Sequence, residues 1–424
     1  MEYLIFVTYL VLFAWLVTKV KFFTRTGLTR SQLIILFLLK IIAGIFYGWI
    51  GMYYGGLAKM VDTWNYHTQA INEYHLLFSD PGEYLTNLFR DPYGDGVKKF
   101  FSTTNSYWND LKGNVFIKFL SILDIFSFGN YYVNVIFYSF ISLFGPVSLF
   151  RVMNDVFPNR KIPVLTASFL IPSFLYWTSG LHKEGLIFTG IALIIYVIYF
   201  STKEKKINIT RGLTLLIGLL LILTLRNFII VILLPAIATW LIAIRWPKYS
   251  LRIFAAAYLL FTVAFFTARY VSPVFDFPQV VVNKQKEFFK LVGNSTVPMK
   301  ELDPTFSSFV KNTPQSIEFS ALRPHPSDVN HILTLAAAVE VGFFILLLFL
   351  LFFFRIKESF NRTVIHFCIF FGFSMLLSIG FTINNLGAIV RYRSIILSLL
   401  LVPVVALIDW NKLKQLISRY VKNK

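Results

Sequence analysis

The chain has 424 residues, of which 56% are hydrophobic, 18% are aromatic and only 14% are charged. With a mean hydropathy of +0.66, it carries too little polar surface to cover a soluble core of this size. Repeated apolar runs near the ~20 residues that cross a bilayer predict a polytopic membrane protein and exclude a soluble one.

The apolar runs predict an all-α integral membrane protein with about eleven transmembrane helices and two large outer loops. The crossings are placed at 3–18, 32–54, 131–150, 162–179, 186–201, 212–225, 228–244, 253–270, 332–354, 363–383 and 394–409. The first run lacks the basic start and cleavage site of a signal peptide, so we expect a retained helix. Without an internal repeat or a soluble insertion, residues 1–424 are interpreted as a single helical membrane domain.

The net charge of +19 follows the predicted topology. Segments after the odd-numbered crossings hold 22 of the 40 Lys and Arg residues and only four acidic residues. By the positive-inside rule these segments are cytoplasmic, which places the N-terminus outside and the C-terminus in the cytoplasm. No nucleic-acid partner is therefore expected.

The two outer loops differ in character. The first covers residues 55–130 and ends in "VFIKFLSILDIFSFGN", which is too short and too charged for a crossing and predicts an interfacial or re-entrant helix. The second covers residues 271–331 and contains the amphipathic stretch "NKQKEFFKLVGNS".

Basic residues occupy all three short outer turns, where Lys and Arg are normally scarce. They are Lys183, beside Glu184, then Arg226, and then Arg391 and Arg393. This pattern predicts an anion site at the outer surface. Each position also has a simpler interpretation, because Arg226 can snorkel and the Lys183–Glu184 pair can cap a helix. Arg391 and Arg393 are two apart, so a helix would place them on different sides.

Asp62 opens the outer-loop sequence "DTWNYH" and is a candidate base, with an N-terminal helix cap as the alternative. In a helix Asp62 and Tyr66 would share one face, and Thr63 and His67 would share the next. A zinc site would need a second histidine one turn after His67, where Ile71 stands, so no metal site is predicted beyond weak divalent binding by loop carboxylates.

Three ionisable residues lie inside or near crossings: Lys40, Asp124 and Glu340. Because intramembrane charges are costly, each is a functional candidate, although the sequence names no partner for Lys40 and suggests only a basic group for Glu340. The chain has no Walker loop, no Gly-rich dinucleotide turn, no GxSxG elbow and no HExxH motif, so a nucleotide-driven pump is not expected.

Four stretches carry a resemblance to known families: "DTWNYH" at 62–67, "PSFLYWTSGLHKEG" at 172–185, "ALRPHPSDVNHILTLAAAVE" at 321–340 and "RYR" at 391–393. With the many crossings, they resemble Wzy- or EpsG-type polymerases of bacterial surface polysaccharides and related GT-C membrane glycosyltransferases. The paired acidic motif of many GT-C first loops is not evident here.

The resemblance implies an enzyme that uses polyprenyl-(pyro)phosphate-linked glycans at the outer face of the bacterial cytoplasmic membrane. It implies Asp62 and Glu184 as catalytic carboxylates, with lipid phosphate bound by Lys183, Arg226, Arg391, Arg393 and Arg323, and sugars bound by Trp64, Tyr66 and His67. It implies no cofactor, and as partners membrane lipids and other polysaccharide-assembly proteins.

Two other classes stay open. A transporter or flippase for an anionic lipid or glycan would carry its charges near mid-membrane, whereas most charges here lie at the outer surface. A structural subunit of an envelope complex would have no need of the outer basic residues. Within the enzyme class, a polymerase is favoured over a single-sugar transferase because basic turns outnumber candidate carboxylates.

Overall fold

The computed structural model describes residues 2–54, 62–94, 99–100, 105–291, 293, 295–358 and 360–422. Within these ranges the regular structure is helical, without a β-strand, and includes two isolated bridges, Thr296–Asn385 and Arg355–Ile408. The first half contains α1 Glu2–Val17, α2 Lys21–Thr24, α3 Arg30–Tyr53, α4 Asp62–Ser79, α5 Pro81–Thr86, α6 Tyr107–Ser127, α7 Tyr131–Ser142, α8 Phe144–Val156, α9 Lys161–Phe169 and α10 Pro172–Ser179.

The second half contains α11 Lys183–Glu204, α12 Ile209–Arg226, α13 Phe228–Arg245, α14 Ser250–Thr267, α15 Phe277–Lys290, α16 Phe306–Ile317, α17 Ile332–Phe353, α18 Arg362–Thr382, α19 Leu386–Leu407 and α20 Trp410–Lys422. Short 3₁₀ turns lie at Asn87–Phe89, Pro247–Tyr249, Ala268–Tyr270, Pro273–Phe275 and Pro326–Asp328, and a π turn at Glu318–Leu322.

Nine helical segments of the described chain are long and apolar enough to cross a membrane, or ten if the bent pair α9–α10 forms one span. The remaining predicted crossing, the first, corresponds to α1, which has 16 residues. The prediction of an all-α polytopic membrane protein is thus confirmed at the level of fold class. The count of eleven and the orientation of the termini stay predictions.

Three spans form the centre of the molecule: the continuous α7–α8 segment, α11 and α19. Most of their residues are buried, whereas α14 and α17 are largely exposed and lie at the periphery. Small residues allow close helix approach at the centre: a Cβ built on Gly190 of α11 would lie 2.9 Å from the Gly218 carbonyl oxygen of α12.

The break between α9 and α10 bends the chain by 48°. Pro172 causes it, because proline offers no N–H and forces the preceding residue out of the helical region. Ile171 accordingly has φ −65° and ψ 122°. The break leaves α10 as a separate helix of 8 residues whose two ends need polar partners.

Both outer loops contain helices that pack on the membrane domain. In the first loop, α4 packs against α6, and α6 also contacts α12 and α7. In the second loop, α15 and α16 both pack against α18. These contacts bring the two loops over the same end of the bundle, where α10 ends and α11 and α19 begin.

Candidate functional site

A buried carboxylate, Glu184, is the centre of the site. It lies in the first turn of α11 and has no exposed surface. Its Oε1 accepts a hydrogen bond from Arg226 Nη2 at 2.8 Å and lies 3.5 Å from Arg391 Nε, while Oε2 contacts His182 Nδ1. The ends of α11, α12 and α19 are therefore held together by one carboxylate.

Asp62 lies at the solvent-facing side of this network, at the start of α4. Arg391 Nη1 donates to Asp62 Oδ2 at 2.8 Å, and His182 Nε2 lies 3.6 Å from the same oxygen. His182 and Arg391 hold the pKa of Asp62 well below its ordinary value, despite an opposing effect of burial. Because 58% of the Asp62 side chain is exposed, its charge remains accessible to a ligand.

The turn that carries His182 is fixed on several sides. Tyr138 donates to the His182 carbonyl oxygen, and the Thr63 hydroxyl donates to the Leu181 carbonyl at 3.0 Å. Gly180 packs directly against the Tyr47 ring, where a side chain would collide. The first outer loop, α3 and α7 thus hold this turn in one position.

Three lysines surround the network. Lys183 Nζ lies 4.9 Å from the centroid of the Tyr66 ring, Lys112 extends from α6, and Lys284 extends from α15. Burial, together with the charges of Lys284, Lys183 and Arg226, lowers the pKa of Lys112 to about 8. The charges of Lys183, Lys284 and Arg226 are therefore close enough to repel the charge of Lys112.

The site is cationic overall. Lys112, Lys183, Arg226, Lys284 and Arg391 face only two carboxylates, those of Asp62 and Glu184. The three lysines have no acidic partner within ion-pair distance in the part of the chain described above, and Arg226 Nη1 is likewise unpartnered there. An anion bound between these side chains would relieve their mutual repulsion.

A cavity of about 850 Å³ opens beside the site. Asp62, Arg391, Tyr392 and Lys284 line one part of it, and Glu340 lines another part, within the membrane-spanning segment α17. Aromatic and apolar side chains line most of the remaining wall: Phe46, Tyr47, Leu175, Tyr176, Trp177, Phe288, Leu291, Leu333 and Leu386. The cavity is large enough for a ligand of drug-like size or larger.

Two of the predicted phosphate-binding arginines lie elsewhere. Arg393 is buried and donates from Nη1 to the carbonyl oxygens of Ser320 at 3.1 Å and Arg323 at 2.8 Å. The Arg323 side chain pairs with Glu318 at 3.1 Å and Asp328 at 3.2 Å. Both arginines stabilise the second outer loop in this structure, and neither joins the Glu184 network.

The three predicted sugar-binding residues also separate. Trp64 stacks on Tyr131 with ring centroids 4.2 Å apart and donates to the Gly48 carbonyl, while His67 is buried against the same two rings. Burial lowers the pKa of His67 to about 4, so it is neutral near pH 7. Of the three, only Tyr66 contacts the network, with its ring 5.7 Å from that of His182.

Two buried charged residues of the membrane helices, Lys40 and Glu340, cap the short helix α10. Glu340 Oε1 accepts from the Ser173 backbone N–H at 2.7 Å, and Lys40 Nζ donates to the Thr178 carbonyl at 2.7 Å and to Ser179 Oγ at 3.2 Å. A carboxylate at the N-terminus and an ammonium at the C-terminus both interact favourably with the helix dipole. The partner of Glu340 is thus a backbone group, not the basic side chain suggested by the sequence.

Sequence reasoning missed three residues of the site: His182, Lys112 and Lys284. His182 directly precedes the Lys183–Glu184 pair, and that adjacency was the available signal. Lys112 and Lys284 lie among other loop lysines, and only the packing of α6 and α15 distinguishes them.

Within the described ranges, no cluster of three His, Cys, Asp or Glu side chains is arranged to hold a metal ion. Comparisons with protein-family models, curated proteins and solved structures found no match to this chain.

Proposed function

We propose that the protein is an integral-membrane glycosyltransferase, of the polymerase type, that acts on polyprenyl-(pyro)phosphate-linked glycans at the outer face of the membrane. The observation that carries the proposal is the cationic site beside an exposed carboxylate and a large aromatic cavity. Such a site suits a ligand that combines a phosphate, an apolar chain and sugar rings.

The arginines and lysines of the site are suited to bind the pyrophosphate of the lipid-linked donor. Arg391 and Arg226 both pair with Oε1 of Glu184, which fixes their guanidinium groups without neutralising the three lysines. A pyrophosphate leaving group gains negative charge as its bond to the sugar breaks. Fixed cations next to it stabilise that charge without having to reorganise during the reaction.

The reaction forms a bond between an acceptor hydroxyl oxygen and the anomeric carbon of the donor sugar, and breaks the bond from that carbon to the pyrophosphate oxygen. The proton of the acceptor hydroxyl passes to the Asp62 carboxylate while the lipid pyrophosphate leaves as an anion. Asp62 is the accessible carboxylate, and it accepts a hydrogen bond from this hydroxyl as the oxygen attacks. Glu184, which has no exposed surface, positions Arg226 and Arg391.

The test is a mass profile of lipid-linked glycans in cells that lack the protein, complemented with wild type or with Lys284→Gln. Lys284 lines the cavity and its removal breaks no ion pair of the described structure, so the variant is expected to fold and to raise the donor KM roughly tenfold. Lys286→Gln is the matched control, because it makes the same change on the same helix away from the cavity.

Accumulation of complete single repeat units on the lipid, reversed by wild type and Lys286→Gln but poorly by Lys284→Gln, would support a polymerase. An intermediate one sugar short would indicate a single-sugar transferase instead. An unchanged profile in cells without the protein would refute both.

A transporter for an anionic lipid or glycan is the second candidate, because the broken helix pair α9–α10 and the buried charges Lys40 and Glu340 are features that transporters use. If the protein is a transporter, cells that lack it should contain lipid-linked glycans of unchanged length on the wrong side of the membrane. The same mass profile, combined with the access of a membrane-impermeant glycosidase to the glycans, separates the two functions.

A further inference from the structure

The inner part of the cavity contains a carboxylate with an unused hydrogen-bonding position. Glu340 is 4% exposed and lies eight residues into α17, roughly 12 Å along the helix axis. Its Oε1 caps α10, but its Oε2 has no hydrogen-bond partner among the residues that the structure describes. An unsatisfied carboxylate oxygen at this depth is costly unless a donor reaches it.

Two donors lie near it without bonding to it. The Ser173 hydroxyl is beside the carboxylate yet makes no well-formed hydrogen bond, and Ser173 also lines the cavity. Arg393, on α19, is close enough to interact electrostatically with Glu340, although no ion pair within 4.0 Å joins them over the described ranges. Arg393 Nε and Nη2 are both buried and, in that same part of the chain, unpartnered.

The opposite charges of Glu340 and Arg393 determine which class of ligand fits between them. A cation would be attracted by Glu340 but repelled by Arg393, and an anion would be repelled by Glu340. A hydroxyl group can donate to the carboxylate and accept from Ser173 or Arg393 at the same time. The rings of Trp177, Tyr176 and Phe288 on the cavity wall add flat apolar faces.

We propose that Glu340 and Ser173, with Arg393 behind them, form a subsite that binds the hydroxyl groups of a neutral saccharide in the inner part of the cavity. The inference deepens the proposed function, on which it rests, by assigning the phosphate to the outer cations and a sugar ring to the Glu340 end. A glycan would then occupy the cavity lengthwise, with its pyrophosphate at Arg391 and Lys284.

The experiment measures binding of neutral methyl glycosides to the full chain in lipid nanodiscs by saturation-transfer NMR, with inorganic pyrophosphate as a separate probe. Glu340→Gln and Ser173→Ala are expected to weaken glycoside binding about tenfold, since each removes one polar contact. Both are expected to leave pyrophosphate binding unchanged. Glu358→Gln is the matched control, because it makes the same carboxylate-to-amide change at an exposed site with 61% exposure.

Ser173→Ala keeps the backbone N–H that donates to Glu340 at the start of α10. This variant therefore tests the subsite even if Glu340→Gln fails to fold. Equal glycoside binding by wild type and Ser173→Ala would overturn the inference. So would pyrophosphate binding by wild type without any glycoside binding, which would leave the proposed function standing. Failure of wild type to bind either probe would count against both.

Discussion

Replacing Glu184 by glutamine tests whether the buried ion-pair network holds the outer end of the bundle together. The change keeps the size of the side chain and removes its charge, leaving Arg226 and Arg391 beside three lysines without their shared counter-ion. Removing one partner of a buried ion pair typically costs about 3–5 kcal/mol. We expect about 3 kcal/mol, because the glutamine oxygen can still accept from Arg226.

The assay is thermal and chemical unfolding of the purified protein in detergent, comparing Glu184→Gln with Glu83→Gln. Glu83 pairs with Arg90 at the same 2.8 Å, but the side chains are 32% and 65% exposed, so its loss should cost under about 1 kcal/mol. A double variant, Glu184→Gln with Arg226→Gln, should be less destabilised than the sum of the two single variants.

Unfolding of Glu184→Gln at the same denaturant concentration as Glu83→Gln would show that the buried network does not stabilise the fold. Additive effects in the double variant would separately show that Glu184 and Arg226 do not interact. Neither result depends on the proposed enzyme activity, so the network can be tested before any substrate is known.

The other predictions concern single buried or exposed charges. Lys40→Met should lower stability by about 1–3 kcal/mol in the same unfolding assay, because the Thr178 carbonyl at the end of α10 loses its buried donor. Burial raises the pKa of Asp124 to about 6, so its ionisation destabilises the fold as pH rises between about 4 and 6. Asp124→Asn should therefore gain stability relative to wild type at pH 7.5, by at most about 3 kcal/mol, but little at pH 4; an equal difference at both pH values would contradict this. Asp62→Asn should abolish glycan elongation and lower the melting temperature less than Glu184→Gln does, because Asp62 is ion-paired with Arg391 but 58% exposed; retained elongation would remove Asp62 from the mechanism.

The membrane helices could be predicted because hydropathy alone determines most of them. Apolar runs gave approximate positions for every span, with the largest shift at the last one, predicted from residue 394 but observed as α19 from Leu386. The prediction began too late because Arg391 and Arg393 interrupt the apolar run. In the structure, Arg393 Nη1 donates to carbonyl oxygens of the second outer loop, which offsets part of the cost of burying an arginine there.

The site could be predicted only in part. The expectation that basic outer turns converge holds for Lys183, Arg226 and Arg391, because short turns at one end of a bundle must lie near each other. It does not hold for Arg323, which lies in a long loop whose folding depends on contacts far apart in sequence. For the same reason Lys112 and Lys284 could not be singled out from the other loop lysines.

The spacing of Arg391 and Arg393 explains how one helix serves both outer loops. Two residues apart on a helix, they point about 200° away from each other. Arg391 accordingly binds Asp62 of the first loop, while Arg393 binds the backbone of the second loop at Ser320. Because both contacts belong to one rigid turn of α19, a displacement of either loop on ligand binding would be transmitted to the other. The cavity is lined by Asp62 of the first loop and by Lys284 and Phe288 of the second, so the positions of both loops set its shape.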